Sequence, residues 1–367
     1  MGRVLVTGGA GFVGSHIVDE LIGDGVEVTV LDNLDSAAHA ERPGYLNAGA
    51  HYVWGDVRDR SAWIEALEGV DSVCHQAGKV GLGVDFGDAE DYVTHNDVGL
   101  VAGLCVLHDR RFSGPFVLAS SMVVYGEGRY RCERDGLVRP GPRDPAALDA
   151  GLFDPPCPHC GATLVAESVP EDAPMWPRNV YAATKLHQEH LLDTFGHEHG
   201  LGAIGLRYHN VYGPRMPRDT PYAGVASIFR SALAGGRAPM VHEDGRQMRN
   251  FVHVRDVAHA NVLALARAAE PSHARGLTAW NVASSTPQTV GDMAEALATA
   301  FGSRAGEDGW PQLTGRYRPG DVRHVFASTD RAMSELGFVS QVPFAEGMAE
   351  FAHAELRVPV ATRPQSS

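Results

Sequence analysis

Tyr181 and Lys185 stand four residues apart, so a helix puts both side chains on one face. A free phenol gives up its proton only near pH ~10. A neighbouring ammonium, or any other positive charge in the same site, favours the phenolate. Such a pair can take and return a hydroxyl proton at neutral pH. A second group lies at the start of the chain, where Val4-Leu5-Val6-Thr7 is followed by glycines at 8, 11 and 14. Gly8 permits a tight turn, Gly11 lets the backbone approach a pyrophosphate, and Gly14 lets the next helix pack on the sheet. The N–H groups at the helix start, around Phe12 and Val13, and the helix dipole then hold phosphate. Asp32 ends the second apolar run, 18 residues past Gly14, where a carboxylate reaches an adenosine ribose. Asn33 follows it, and no Arg or Lys stands in Asp32-Asn33-Leu34-Asp35 to receive a 2′-phosphate, so NAD is expected rather than NADP. Asp56 and Val57, after the third run, are placed to reach the adenine; alone, that Asp would serve equally as a helix cap. A third group is Cys132-Glu133-Arg134-Asp135-Gly136 with Cys157-Pro158-His159-Cys160-Gly161. Two such turns can close a four-ligand site from Cys132, Asp135, Cys157 and Cys160 around a structural zinc. Unligated thiols and a redox pair remain open readings of the same residues.

Short strands and helices must carry these groups. Val4–Thr7, Val26–Leu31, His51–Trp54, Ser72–Cys74, Phe116–Ala119 and Ala203–Leu206 read as strands. Phe12–Ile22, Ser61–Leu67, Asp91–Leu107 and Tyr181–Phe195 read as helices. Strand-helix alternation implies an α/β protein with a Rossmann-type, doubly wound parallel sheet covered on both faces. Residues 1–210 are expected to form this domain. A smaller C-terminal substrate-binding lobe is expected over 211–357, with a segment near 250–265 returning to the first domain, and 358–367 as a tail. Between about Arg129 and Pro177 periodicity fades, and nine of the 22 prolines and three of the five cysteines fall there. Connections longer than about 12–15 residues without secondary structure are uncommon, so this reads as an insertion with a task.

Composition narrows the partners. With 31 Lys and Arg against 45 Asp and Glu, the formal charge of −14 argues against nucleic acid or an anionic membrane as a partner. Five cysteines in 367 residues are too few for a disulfide-built secreted fold. No run is apolar enough to span a bilayer, and Met1-Gly2-Arg3 leads straight into the first strand, so a cytoplasmic protein is expected.

Taken together, the motifs resemble the extended short-chain dehydrogenase/reductase family, and within it the NAD-dependent nucleotide-sugar epimerases and dehydratases. The residues that carry the likeness are Gly8–Gly14, His75-Gln76-Ala77-Gly78, Asn96, Ser120–Gly126, Tyr181-x-x-x-Lys185, Arg207–Arg215, Arg249–Ala258 and Arg318–Asp321. The likeness covers nearly the whole chain except the insertion and tail. It implies that Ser121, Tyr181 and Lys185 are catalytic, and that Gln76 and Ala77 join the cofactor site. A nucleoside-diphosphate sugar is the implied substrate, met by Ser121, Asn96, Asn210, Arg249 and Arg318, with Arg215 in the same phosphate neighbourhood. Guanidinium forks suit a diphosphate.

Family dehydratases carry an Asp-Glu pair where this chain has Met122 and Val123, and family 3,5-epimerases carry a Cys at the position of Val123. The resemblance therefore implies hydride chemistry at one carbon, most simply 4-epimerisation. Tyr181 takes the C4 hydroxyl proton while the C4 hydride passes to NAD+; the 4-keto sugar turns over, and the hydride returns to its other face. The positive nicotinamide ring would join Lys185 in favouring the Tyr181 phenolate. The insertion beside Tyr125–Tyr130, and the run Met216–Val225, look like bacterial dTDP-L-rhamnose 4-epimerases. UDP-hexose 4-epimerisation, a net 4-ketoreductase or dehydrogenase, and a non-catalytic dinucleotide sensor remain alternatives. The family also implies a homodimer through Asp91–Leu107 and Tyr181–Phe195.

Overall fold

The computed structural model describes residues 2–36, 38–81, 86–218, 224–270, 273, 275–318 and 320–357. The expected tail, Pro319 and residues 219–223 of the Met216–Val225 run lie outside the described residues.

In chain order the first domain runs β1 (Val4–Thr7), α1 (Phe12–Gly23), β2 (Val28–Asp32), β3 (His51–Trp54), α2 (Arg60–Ala66) and β4 (Ser72–His75). There follow α3 (Ala89–Tyr92), α4 (Gly99–Asp109) and β5 (Phe116–Ser121). The insertion then carries β6 (Arg129–Cys132), β7 (Gly136–Val138), α5 (Pro145–Asp149) and β8 (Val165–Glu167). After it come α6 (Val180–His199), β9 (Gly202–Tyr208) and β10 (Asn210–Tyr212). The remainder is α7 (Val225–Ala234), β11 (Met240–Val241), β12 (Met248–Arg249), β13 (Phe251–His253), α8 (Val254–Ala268) and β14 (Gly276–Val282). It ends with β15 (Gln288–Thr289), α9 (Val290–Ala300), β16 (Gln312–Leu313) and α10 (Phe344–His353).

Seven strands form one parallel sheet in the order β14-β9-β5-β4-β1-β2-β3. Val4 faces Val28 on one side and Ser72 on the other, so the order reverses beside β1. A crevice opens at the carboxyl ends of the strands at such a reversal. β1 and β5 are buried along their whole length, because helices cover both faces and leave no side for water. One face packs Ile17 of α1 and Val257 and Ala264 of α8 on Val6, Val30 and Ile204. The other packs Trp63, Leu100 and Leu192 on Leu5, Leu31 and Leu118. A separate core of Phe229, Val241, Met293, Leu297 and Phe351 serves the smaller lobe.

Three details differ from the sequence reading. β14 enters the main sheet from residues 276–282, beyond the returning segment read near 250–265. The helix expected over Asp91–Leu107 is interrupted: between α3 and α4, residues Val93–Val98 form a wider π turn. The low-periodicity insertion folds β6, β7 and β8 into a small antiparallel sheet.

Candidate active site

The turn after β1 takes Gly8 through φ +68°, and a Cβ there would lie 2.7 Å from the Ala77 amide nitrogen. A Cβ on Gly14 would lie 2.2 Å from the Gly8 carbonyl oxygen, so α1 meets the turn only if that residue is glycine. Gly11 caps α1 without any side-chain bond. The first N–H groups of the helix are therefore left for a ligand. At the end of β2, Asp32 accepts hydrogen bonds from the Ala10 and Leu34 amides at 3.0 and 2.8 Å. Burial raises its pKa against the effect of these bonds. Asn33 donates to Asp56 at 3.0 Å, and the Arg58 guanidinium forks onto the same carboxylate and holds it at about 2.

Gly8, Gly11, Phe12, Val13, Asp32, Asn33, Asp56, Val57, Gln76, Ala77, Tyr181 and Lys185 all border one cleft of about 550 Å³. A glycine turn, uncapped helix amides and a ribose-range carboxylate on one cleft fit an adenine dinucleotide. Gln76 lines it with its amide already engaged. Its Nε2 donates to Asn261 Oδ1 and its Oε1 accepts from Tyr208, so the side chain braces the wall.

Arg357 and His39 are among the bordering residues that escaped the sequence reading. Arg357, far along the chain, donates through Nε to the Arg215 carbonyl at 3.0 Å and sets a positive charge near Asp32. His39 stands 3.4 Å from it. Neither belongs to a local motif, so only the tertiary fold shows them.

Ser121 ends β5, and Tyr181 and Lys185 lie one turn apart near the start of α6. The cap of that helix is Asn179, whose side chain accepts from the Ala182 amide at 2.8 Å. Ser121 Oγ accepts from the Val123 amide at 3.4 Å, and its hydroxyl lies close enough to the Tyr181 phenol to favour the phenolate. Lys185 donates through Nζ to the Ala119 carbonyl at 2.9 Å. The expectation that Lys185 lowers the Tyr181 pKa is not met in the protein by itself. Burial pushes the phenol up to about 12, and the nearby Ser121 hydroxyl is what opposes it. Burial also draws Lys185 down to about 8, against the pull of Asp97 and Glu189. Desolvation outweighs the pairwise charges at both groups.

Asn96 does not face the substrate space as expected. Its Oδ1 accepts from the Lys79 amide at 2.7 Å, and its Nδ2 donates to the Lys79 carbonyl and to Thr184 at 3.1 and 3.0 Å. The π turn places it there, fully buried, so it joins the segment after β4 to the Tyr181 helix. Arg215 departs from its expected role too: it pairs with Asp19 at 2.7 Å and stacks over Tyr45. Asn210, in β10, has a buried Oδ1 with no partner among the described residues. An unsatisfied buried carbonyl of this kind is suited to a ligand donor.

Neither Arg249 nor Arg318 borders the 550 Å³ cleft. Both lie near Asp321, and Met122 and Val322 pack around Val124 and Tyr125. Arg249 gives three N–H groups to the carbonyls of Met248, Val322 and Arg323 at 2.7–2.8 Å. Its Nε and one Nη2 hydrogen have no partner among the described residues. Arg318 is exposed. Cys132, Asp135, Cys157 and Cys160 converge in the insertion, outside the cleft.

Among the described residues no helix is long and apolar enough to cross a membrane. Comparison with known proteins adds the family. A dTDP-L-rhamnose 4-epimerase of Burkholderia thailandensis is 32% identical over 360 residues, spanning 95% of this chain and 93% of the relative. The structure of Thermus thermophilus UDP-glucose 4-epimerase in complex with NAD superposes with a TM-score of 0.74 at 30% identity, covering 95% and 97% of the two chains. UDP-N-acetylglucosamine 4-epimerase of Methanobrevibacter ruminantium, in complex with UDP-N-acetylmuramic acid, gives 0.74 at 27% identity and covers 95% and 96%. Residues 4–145 and 158–283 match the NAD dependent epimerase/dehydratase family, and the chain belongs to it.

Proposed function

We propose that this protein is an NAD-dependent 4-epimerase of nucleoside-diphosphate sugars, acting on a dTDP-6-deoxyhexose such as dTDP-L-rhamnose. The observation that carries the reaction class is the composition of the site around Ser121. Tyr181 and Lys185 border the cleft, Ser121 ends β5 beside it, and the next two residues are Met122 and Val123. No acid-base pair therefore stands where elimination or deprotonation at carbon would need one. The buried Glu189 behind Ser120 is held by Arg207 at 2.8 Å, and Glu171 accepts from the Asn281 amide at 2.8 Å. Both carboxylates are committed to the fold.

NAD+, when bound, supplies the acceptor and later the donor of the C4 hydride. Gly8, Gly11, Asp32 and the amides of α1 would hold it. The work of the chain itself is on the hydroxyl proton. Tyr181 takes it from O4 and returns it, Ser121 steadies the phenol and O4, and Lys185 holds its positive charge beneath them. Arg249, through its remaining N–H edge, and Asn210 Oδ1 would meet the diphosphate end. Apolar Met122 and Val123 after Ser121 are compatible with a 6-deoxy sugar.

A homodimer and a cytoplasmic setting belong to the same proposal. Val93, Val98 and Val101, each about 40% exposed, give the π turn and α4 an apolar outer face beside α6. All five cysteines are unpaired.

Purified protein is incubated with dTDP- and UDP-hexoses without added cofactor, and the sugars are followed by NMR. An isomeric product with no net NADH is expected, fastest with a dTDP-6-deoxyhexose. Tyr181→Phe should lower kcat by roughly 10²–10⁴. Faster turnover of UDP-glucose would overturn the substrate assignment. Stoichiometric NADH, or no turnover of any sugar, would overturn the epimerase.

A further inference from the structure

We propose that Cys132, Asp135, Cys157 and Cys160 form a structural zinc site that clips the insertion into shape. Their four donor atoms lie within 4.8 Å of one another. Cys132 Sγ stands 3.5 Å from Cys160 Sγ, and Asp135 Oδ2 stands 3.5 Å from Cys132 Sγ and 3.2 Å from Cys157 Sγ. A tetrahedron with Zn–S near 2.3 Å and Zn–O near 2.1 Å has S–S edges of about 3.8 Å and S–O edges of about 3.6 Å. The observed edges are close to these. They are far from the ~2.05 Å of a disulfide.

The two turns that deliver the ligands are alike. The first joins β6 to β7: Cys132 ends β6, Asp135 follows three residues on, and Gly136 takes φ +72°. In the second, Cys157 is followed three residues on by Cys160, and Gly161 takes φ +73°. Backbone bonds close the second turn: the Gly161 amide donates to the Cys157 carbonyl at 2.9 Å, and the Cys157 amide to the Ala162 carbonyl at 2.8 Å. His159 is exposed and takes no part.

The insertion also needs such a clip. β6, β7 and β8 span three or four residues each, and Leu137 and Val165 are 53% and 67% exposed. Its own core is Tyr130, Cys132, Cys157 and Leu164, so half of the fully buried set is ligand. A sheet this small has too little apolar surface to order itself. Three thiolates and one carboxylate in a tetrahedron suit Zn²⁺. Binding exchanges thiol protons for metal–sulfur bonds and moves no electrons. The site takes no part in the reaction proposed above. It fixes β6, whose Tyr130 donates to Glu127 at 2.7 Å; Glu127 in turn accepts from the Arg323 amide at 2.8 Å.

The test is elemental analysis of full-length protein expressed and purified without added zinc. About one zinc per chain is expected, and Cys157→Ser and Cys160→Ser should each carry less than a tenth of it. Asp135→Cys should keep the metal and resist a chelator longer than wild type. Should the serine variants fail to fold, wild-type protein stripped by a chelator is loaded with Co²⁺. It should then show the visible bands and sulfur-to-metal absorption of a tetrahedral thiolate site. Metal-free wild type with Cys157 and Cys160 freely alkylated or joined as a disulfide would overturn the assignment. So would zinc content unchanged by Cys157→Ser.

Discussion

Lys185 is the residue whose burial has the plainest measurable consequence. It is 3% exposed, its ammonium bonded to the Ala119 carbonyl, and its pKa is drawn from 10.5 down to about 8. The unfolded chain therefore holds this proton across pH 8–10.5 while the folded one releases it. Stability rises with pH wherever the unfolded state binds more protons. The cost of burying the charge is fully present below about pH 8 and is relieved as pH climbs through that window. In ligand-free protein, the unfolding free energy of wild type should gain on that of Lys185→Met by up to about 1.4 kcal/mol per pH unit there. Denaturant melts of both proteins at pH 7.5 and 9.5 check this; parallel curves would show that Lys185 keeps an ordinary pKa. Tyr181 responds in the opposite sense, since burial raises it to about 12. The spacing of Tyr181 and Lys185 pointed to the pair, but the size of the desolvation at each depends on how deeply α6 is packed, which spacing does not encode.

At the scale of elements, legibility follows burial pattern. Strands β1, β4 and β5 are buried on both faces and carry the apolar runs Val4–Val6, Val73–Cys74 and Phe116–Ala119. β14 lies at the sheet edge, where Thr278 and Ala279 are half-buried, so Gly276–Val282 carries no such run. The insertion strands are short and, apart from Tyr130 and Cys132, at most half-buried, and their sheet rests on a ligand cluster rather than on alternation. The π turn at Val93–Val98 leaves no mark in the sequence either, because one wider turn barely disturbs a three-to-four residue spacing. Yet that turn sets Asn96 inward on Thr184 while Val98 and Val101 point out. If this outer face seats the partner of the proposed dimer, Val98→Glu with Val101→Glu should halve the mass seen by light scattering. Because both side chains are exposed in a single chain, its melting temperature at low concentration should change little. A double variant that stays dimeric would place the interface elsewhere, and a monomeric wild type would remove it.

The whole molecule carries a net charge of −14, and its expected ligands are themselves anionic, so binding rests on local cationic features rather than on the overall field. The same acidity makes one buried cation important to how the parts are joined. Arg323 is 1% exposed and meets Asp154 of the insertion at 2.7 Å, and Glu243 and Asp244 of the smaller lobe at 2.8 and 2.7 Å. Arg143, also from the insertion, pairs with Glu243 at 2.8 Å. No run or spacing announces this network, because its members come from three distant stretches of chain. Removing one partner of a buried pair costs about 3–5 kcal/mol, since the other charge is left without compensation. Arg323→Met should fall near the lower figure: Asp154 and Asp244 reach water, and Glu243 keeps Arg143. Arg331→Met is the control, because its pair with Glu335 is about 40% exposed on each side. An exposed pair contributes at most about 1 kcal/mol and weakens with salt. Denaturant melts should therefore show a loss for Arg323→Met about three times that for Arg331→Met, and the larger loss should persist at high salt. Equal losses for the two variants would mean that the insertion and the smaller lobe are held together by their apolar contacts instead.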